Sequence, residues 1–271
     1  MAVVGFIGAG VMAEGILSGM LRGGFSPDEV MGADPDASRR AFLAEKYGIA
    51  TVEDNQELAS RSDLLVFAVK PQYFEKALLQ VRPALRPGHK VISIMAGVTI
   101  ARLEKDLRRD ESDFPTLSVV RVMPNVSVKV QAGVTSLSAG SMASPEDVER
   151  ARRLFGTVGS VVEIEERLMD AATGLAGCGP AYVALIIEAL ADGGVLAGLS
   201  RKQAQILAAE TVMGAAKMVL ADVEHPAKLK DDVCSAGGAT IEGVYALERH
   251  GLRAALIEAV KAGADKCSRI T

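Results

Sequence analysis

The stretch Ser235-Ala236-Gly237-Gly238-Ala239-Thr240 joins the end of one helical pattern to the start of another. Successive N–H groups of Gly238, Ala239 and Thr240 at a helix N-terminus form a nest suited to a carboxylate, because free donors and helix dipole both favour an anion. Ser235 and Thr240 add hydroxyl donors. A plainer role for Thr240 is to cap its own helix. A second constellation lies at the other end of the chain. An apolar run, Val3-Val4-Gly5-Phe6-Ile7, enters Gly8-Ala9-Gly10, and a helical pattern opens with Val11-Met12-Ala13. This is the G-x-G-x-x-A form of the dinucleotide fingerprint. Gly8 permits the turn, Gly10 lets the backbone approach a pyrophosphate, and Ala13 lets helix and strand pack closely.

Further candidates stand at strand ends. Asp34 follows a short strand, 24 residues after Gly10, where an acidic residue meets a dinucleotide ribose. Ala68-Val69-Lys70-Pro71, Met95-Ala96-Gly97 and Met123-Pro124-Asn125 end three more strands. In a doubly wound sheet these ends line one crevice. Lys70 is either the cation beside a phosphate or carboxylate, or a solvated surface lysine. Asn125 either orients a nicotinamide or a substrate, or serves the turn after Pro124. Ala96-Gly97 is small enough for a flat ring to approach, or simply terminates its strand. Arg39 and Arg40 either clamp a ribose 2′-phosphate or are helix-surface charge. Glu163, Glu165 and Glu166 read as a solvated acidic edge, one member of which could face the site. His89, His225 and His250 have no second ligand at metal spacing, so no metal site is expected. Cys178, Cys234 and Cys267 form neither a disulfide framework nor a metal spacing.

The elements that position these groups come in two kinds. Up to residue 164 strands alternate with helices, which implies a parallel, doubly wound Rossmann-like sheet covered on both faces. From residue 165 to 271 the pattern is helical only. Domains are therefore placed at 1–164, for dinucleotide binding, and 165–271, an all-α unit for substrate binding and dimerisation. Ser26–Glu29 and Ser200–Gln203 read as capping boxes. The segment Pro180–Ala197 is apolar on nearly all sides and must be covered on all sides. One copy of a helical half this small lacks the surface, so a homodimer is expected. Gly179-Pro180, Glu188 and Asp192 interrupt the apolar stretch, which argues against a membrane span. A net charge of −4 and the absence of a long basic run argue against nucleic acid. Ala2-Val3 already opens the first strand, so no signal peptide is expected, and a cytoplasmic location follows.

In order along the chain, Gly8–Ala13, Ala68–Pro71, Arg121-Val122-Met123-Pro124-Asn125, Gly177-Cys178-Gly179-Pro180-Ala181-Tyr182 and Ser235–Ile241 resemble the pyrroline-5-carboxylate reductases. The resemblance implies reduction of Δ1-pyrroline-5-carboxylate to L-proline with NADPH or NADH, the last step of proline synthesis. It implies a Rossmann domain followed by a helical domain that dimerises, five dimers closing a ring in some members. It assigns cofactor contacts to Gly8, Ala9, Gly10, Val11, Met12, Asp34, Asn55, Ala68, Val69, Lys70, Pro71, Ala96 and Gly97, and Arg39 joins them as a candidate 2′-phosphate ligand. Substrate contacts fall to Ser235, Gly238, Ala239 and Thr240, with Asn125 a further candidate and Thr240 the catalytic residue, its hydroxyl hydrogen-bonding the ring nitrogen. Val11 replaces the family's usual Asn, Cys178 a Ser, Ala236 a Pro, and Val126-Ser127 a Thr-Pro. None of these removes a group assigned to chemistry. Asp34 would repel a 2′-phosphate and favours NADH. Arg39 and Arg40 would attract one, and with the family's habit they tip the balance to NADPH, with NADH as a second donor. Two other readings are a β-hydroxyacid or 6-phosphogluconate-type dehydrogenase, which needs a lysine absent from Gly177–Pro180, and a non-catalytic nucleotide-sensing Rossmann protein.

Overall fold

The apolar residues Val4–Ile7 form the first strand, β1, and all four are buried. The computed structural model describes residues 3–108, 117–222 and 225–269. Ala2, expected to open the first strand, lies outside them. Seven more strands follow: β2 Val30–Ala33, β3 Ala50–Val52, β4 Leu64–Phe67, β5 Lys90–Ser93, β6 Ser118–Pro124, β7 Gly133–Ala139 and β8 Gly159–Glu163. They form one sheet in the order β3-β2-β1-β4-β5-β6-β7-β8. The order reverses between β1 and β4, which is where a doubly wound sheet binds ligands.

The sheet is not parallel throughout, as alternation alone suggested. β6 and β7 pair antiparallel, while β7 and β8 pair parallel. The cause is the connection. A 3₁₀ turn at Val126–Val130 links β6 to β7, and a parallel crossover needs a dozen residues or more.

Helices α1 Val11–Arg22, α2 Ala37–Tyr47 and α6 Pro145–Gly156 contribute Ile16, Leu17, Met20, Leu43, Leu154 and Phe155 to one face of the sheet. On the other face, α3 Asn55–Arg61, α4 Phe74–Val81 and α5 Ile100–Asp106 contribute Leu58, Phe74, Leu78, Val81 and Leu103. Both faces are thus covered, as expected. The Ser26–Glu29 box forms, with the Ser26 side chain accepting from Asp28 N and Glu29 accepting from Ser26 N, but it starts only a 3₁₀ turn. Asp36 caps α2, and Gly48, at φ +68°, ends it.

The chain divides into two compact units, Met1–Gly177 with Gly263–Thr271, and Cys178–Ala262. The change of pattern at residue 165 precedes this division. Residues 166–177, including the short helix α7 Met169–Ala172 and a π-helical turn Thr173–Gly177, stay with the first unit. They are held by polar contacts: Glu166 Oε1 accepts from Ile100 N at 2.7 Å, and the Ala176 carbonyl accepts from Asn125 Nδ2 at 3.0 Å.

The second unit contains α8 Gly179–Leu196, α9 Arg201–Asp222, α10 Pro226–Asp232, α11 Ala239–Arg249 and most of α12 Leu252–Cys267. A reciprocal Ser200–Gln203 box opens α9. Tyr182 Oη donates to the Ala259 carbonyl at 3.1 Å and ties α8 to α12. The core of this unit is small, built on Ala191, Ala204 and Ala208. Of α8 only Ala191 is buried, and Leu185, Leu196, Ile206 and Leu220 are more than half exposed. One chain therefore leaves uncovered the apolar surface that the sequence requires to be covered. By length and composition, two segments here could cross a membrane, Glu166–Leu196 and Arg201–Ala221.

Candidate functional site

At the carboxyl ends of β1, β2 and β4 the first unit has a crevice of about 480 Å³. Its lining includes Gly8, Gly10, Asp34, Asn55, Ala68, Val69 and Lys70, so seven of the expected cofactor positions come together. The local reason is the turn after β1. Gly8 has φ +88°, and a Cβ there would press on Val69 Cγ1 at 2.8 Å and the Ala68 carbonyl at 3.1 Å. Only glycine allows β1 and the end of β4 this close. A Cβ on Gly10 would meet nothing within 4 Å. The space over that backbone is open, as a bound pyrophosphate at the start of α1 requires.

Asp34 is fixed rather than free. Its Oδ2 accepts from Ala9 N at 3.2 Å, and its Oδ1 accepts from Asp36 N at 3.0 Å. Asn55 Nδ2 donates to Gln80 Oε1 at 2.6 Å. Ala9, Val11, Met12, Pro71, Ala96 and Gly97 do not line the crevice itself. Ala96 and Gly97 follow β5 at the same sheet end, and Gly97 turns there with φ +73°.

Arg39 is also outside the lining. Its Nε donates to the Ala9 carbonyl at 2.7 Å, and its Nη2 donates to the Gly10 carbonyl at 3.2 Å and to Glu14 Oε2 at 2.8 Å. The guanidinium braces the glycine turn. Arg40 donates to the Asp34 and Pro35 carbonyls and to Glu53 Oε2. Both arginines expected to meet a 2′-phosphate thus have other partners. Glu14 also accepts from Lys46 and Tyr47. Burial would raise its pKa, but hydrogen bonds from Tyr47, Arg39 and Lys46 outweigh burial and lower it to about 2.

The crevice also takes in Glu53, Tyr73, Lys76, Ala77 and Gln80, which sequence reasoning missed. Glu53 directly follows β3. The other four recur at helical spacing from the 3₁₀ turn at Pro71–Tyr73 into α4, a single face that the Lys70-Pro71 strand end could have signalled.

In the second unit the 235–240 turn precedes α11 as expected. Gly237 has φ +66°, and a Cβ on Gly238 would collide with Ser235 Oγ. These two demands explain the paired glycines. Gly238 is the N-cap of α11, without a side-chain cap bond. Thr240 is therefore not the cap, and its hydroxyl has no hydrogen-bond partner among the described residues. The expected three-donor nest is reduced, because Gly238 N donates to the Ser235 carbonyl at 3.0 Å. The N–H groups of Ala239 and Thr240 stand in the first turn of α11, where intrahelical acceptors are lacking.

Asn125 takes the turn role. It is buried, its Nδ2 holds the Ala176 carbonyl, and its Oδ1 accepts from Ser127 N at 3.2 Å and Val134 N at 3.3 Å. Its Oδ1 is engaged twice by its own chain, while Nδ2 has a second hydrogen beyond the one that holds the Ala176 carbonyl. The acidic edge also resolves. Glu163 pairs with Arg152 and Glu165 with Arg167, whereas Glu166 pairs with the buried Arg121. Cys178, Cys234 and Cys267 form no disulfide, and no metal-binding group of His, Cys, Asp and Glu occurs, among the described residues.

Two family models match the chain. Residues 3–97 match an NADP oxidoreductase, coenzyme F420-dependent, and residues 166–270 match pyrroline-5-carboxylate reductase dimerisation. A pyrroline-5-carboxylate reductase of Synechocystis is 47% identical over 261 residues, covering 96% of this chain and 94% of that protein. The chain belongs to the pyrroline-5-carboxylate reductase family. Solved reductases of this family share the fold over nearly their whole length. One from Coxiella burnetii superposes with a TM-score of 0.92 at 31% identity, covering 100% of this chain and 98% of that one. One from Plasmodium falciparum, solved with NADP bound, gives 0.87 at 30% identity, covering 99% and 98%. The Rossmann-like first half and the helical, oligomer-forming second half are those of a pyrroline-5-carboxylate reductase.

Proposed function

We propose that this chain reduces Δ1-pyrroline-5-carboxylate to L-proline, the last step of proline biosynthesis. The observation that carries the reading is the pairing, in one chain, of an open glycine turn at the sheet's reversal point with the Ser235–Thr240 turn. Likeness to named reductases over nearly the full length supports it. NADPH supplies the hydride when bound, and NADH serves at the same site. Domain roles follow the sequence reading, with 1–164 holding the cofactor and 165–271 holding substrate and forming the oligomer.

The chain's own groups do the remaining work. Gly8, Gly10 and the start of α1 hold the pyrophosphate, with Ala9, Val11 and Met12 in the same turn. Asp34 meets the adenosine ribose, Asn55 and Ala68–Pro71 complete the bed, and Ala96-Gly97 leaves room for the nicotinamide ring. Arg39 acts by fixing the turn. Ala239 N, Thr240 N and the Ser235 hydroxyl bind the substrate carboxylate. The substrate is a protonated imine. A C–H bond forms at the imine carbon while the C=N π pair moves to nitrogen, and proline's amine then takes up a proton. The Thr240 hydroxyl hydrogen-bonds that nitrogen and holds it in place as its bonding changes. No nucleophile, metal or triad is needed, since the cofactor carries the redox chemistry.

A second copy covers the apolar faces of α8 and α9 as a homodimer. Shielding in a membrane is disfavoured, because Glu188 and Asp192 lie in α8 and Arg201–Asp192 pair across the α8–α9 turn. The protein works in the cytoplasm without nucleic acid, consistent with its net charge of −4. Light scattering tests the assembly. Two chains are the basic unit, ten are expected where five dimers close a ring, and a single chain contradicts the dimer. Incubation with pyrroline-5-carboxylate and NADPH, followed by chiral amino-acid analysis, tests the activity. L-proline is expected, and its absence rejects the reading.

A further inference from the structure

We propose that a second cavity of about 680 Å³, running along α1, binds a small organic acid that carries two anionic groups. The cavity shares no lining residue with the dinucleotide crevice, lies wholly in the first unit and is independent of the reaction proposed above. Glu14, Ser18 and Arg22 recur at four-residue spacing on α1 and so share one face. Lys46 and Tyr47, at the end of α2, form a second wall. Lys129, from the 3₁₀ turn at Val126–Val130, forms a third.

Three observations point to the ligand. First, the one carboxylate in the lining is already matched. Glu14 Oε2 accepts from Arg39 Nη2 at 2.8 Å, and its Oε1 accepts from Lys46 Nζ at 3.1 Å and Tyr47 Oη at 2.8 Å. Second, Arg22 and Lys129 have no ion-pair partner, and the Ser18 hydroxyl no hydrogen bond, among the described residues. Two cations and a hydroxyl thus line one hollow without a counter-charge, on a chain of net charge −4. A guanidinium holds both oxygens of a carboxylate or phosphate in parallel, and an ammonium supplies a separate point charge. The two together suit two anionic groups. Third, the spacing calls for an organic ligand. A Cβ on Gly15 would stand 3.5 Å from Lys129 Cγ, so the Lys129 stem lies against α1 at Gly15. Arg22 leaves the same helix about 10 Å further along. Val11 and Leu21 add an apolar side that an inorganic ion would not use.

Isothermal titration of the full-length protein, with NADPH present to fill the dinucleotide crevice, reads binding of glutarate and of 3-phosphoglycerate. The first carries two carboxylates and the second a carboxylate and a phosphate, so the stronger binder names the ligand class. At least one should bind with a dissociation constant of about 1 mM or below, and butyrate, with a single carboxylate, at least about tenfold more weakly. Arg22→Gln and Lys129→Gln should each weaken the bound acid at least about tenfold. Arg61→Gln, which removes a cation paired with Glu57 elsewhere, should leave it unchanged. Neither Arg22 nor Lys129 is assigned to the reaction, so turnover without added acid should be the same in both variants, and thermal melting checks that each is folded. Proline formation is measured without these acids, which separates failure of this site from failure of the proposed reaction. The proposal is overturned if neither acid binds up to about 10 mM, if butyrate binds equally well, or if binding survives intact in folded Arg22→Gln and Lys129→Gln.

Discussion

Arg121 Nη1 donates to Glu166 Oε1 at 2.9 Å, and the same oxygen accepts from Ile100 N at 2.7 Å. One carboxylate thereby joins β6, the first turn of α5 and the segment that follows the sheet. Arg121 is 3% exposed, and its Nε and Nη2 have no partner among the described residues. A buried guanidinium with a single acceptor depends heavily on it. Glu166→Gln should therefore destabilise the protein by about 2 kcal/mol, and Arg121→Met by less, since it removes the buried charge as well. Urea denaturation midpoints check the order. Equal loss in both would mean that the charge pairing is immaterial.

Gly238→Ala places a methyl group against Ser235 Oγ. The Ser235 hydroxyl must rotate away and the Ser235 carbonyl, 3.2 Å from the added methyl, must give slightly, so the donors assigned to the substrate carboxylate shift. KM for pyrroline-5-carboxylate should rise about tenfold or more, with KM for NADPH unchanged. A matching rise in both would place the effect elsewhere.

Thr240→Ala removes a hydroxyl that caps nothing and has no partner among the described residues. If its bond to the imine nitrogen strengthens as hydride arrives, kcat falls about tenfold to a hundredfold and KM changes little. Unchanged turnover would remove Thr240 from the mechanism.

One buried group and one half-buried group shape stability against pH. His89 is enclosed, accepting from Arg86 N at Nδ1 and facing the Ser62 carbonyl with Nε2. Burial, and then the Arg86 charge, hold its pKa below 6.5. The unfolded chain takes up this proton more readily, so the stability is complete above pH 6.5 and is lost as pH falls through the folded value. Glu14 acts in a lower window. Its folded pKa of about 2 lies below 4.5, so its contribution is full above pH 4.5 and fades towards pH 2. Thermal melts across pH should show both steps. His89→Gln should erase the upper one, and a profile identical to that of the unaltered protein would contradict this assignment.

The crevice was largely legible because strand ends converge at the reversal of strand order whatever the helices between them do. Gly8, Asp34 and Lys70 could be placed from their distance past an apolar run. The face from Tyr73 to Gln80 was not, since its role depends on where α4 lies rather than on its residue types. For Asn125 and Glu166 the sequence leaves two roles open for a common reason. Each finds partners far along the chain, Ala176 at 51 residues and Arg121 at 45, and no local pattern encodes such pairs. The antiparallel β7 was hidden by the brevity of the 3₁₀ turn before it, which looks like an ordinary loop. The helical unit announced its exposed apolar faces through composition alone.

The central claim is the reaction. Purified protein is mixed with NADPH, and separately with NADH, and absorbance of the reduced nicotinamide is followed on adding pyrroline-5-carboxylate. Oxidation dependent on that substrate, with L-proline formed mole for mole, is the predicted result. No oxidation of either donor, from a protein shown to bind dinucleotide, would contradict the account.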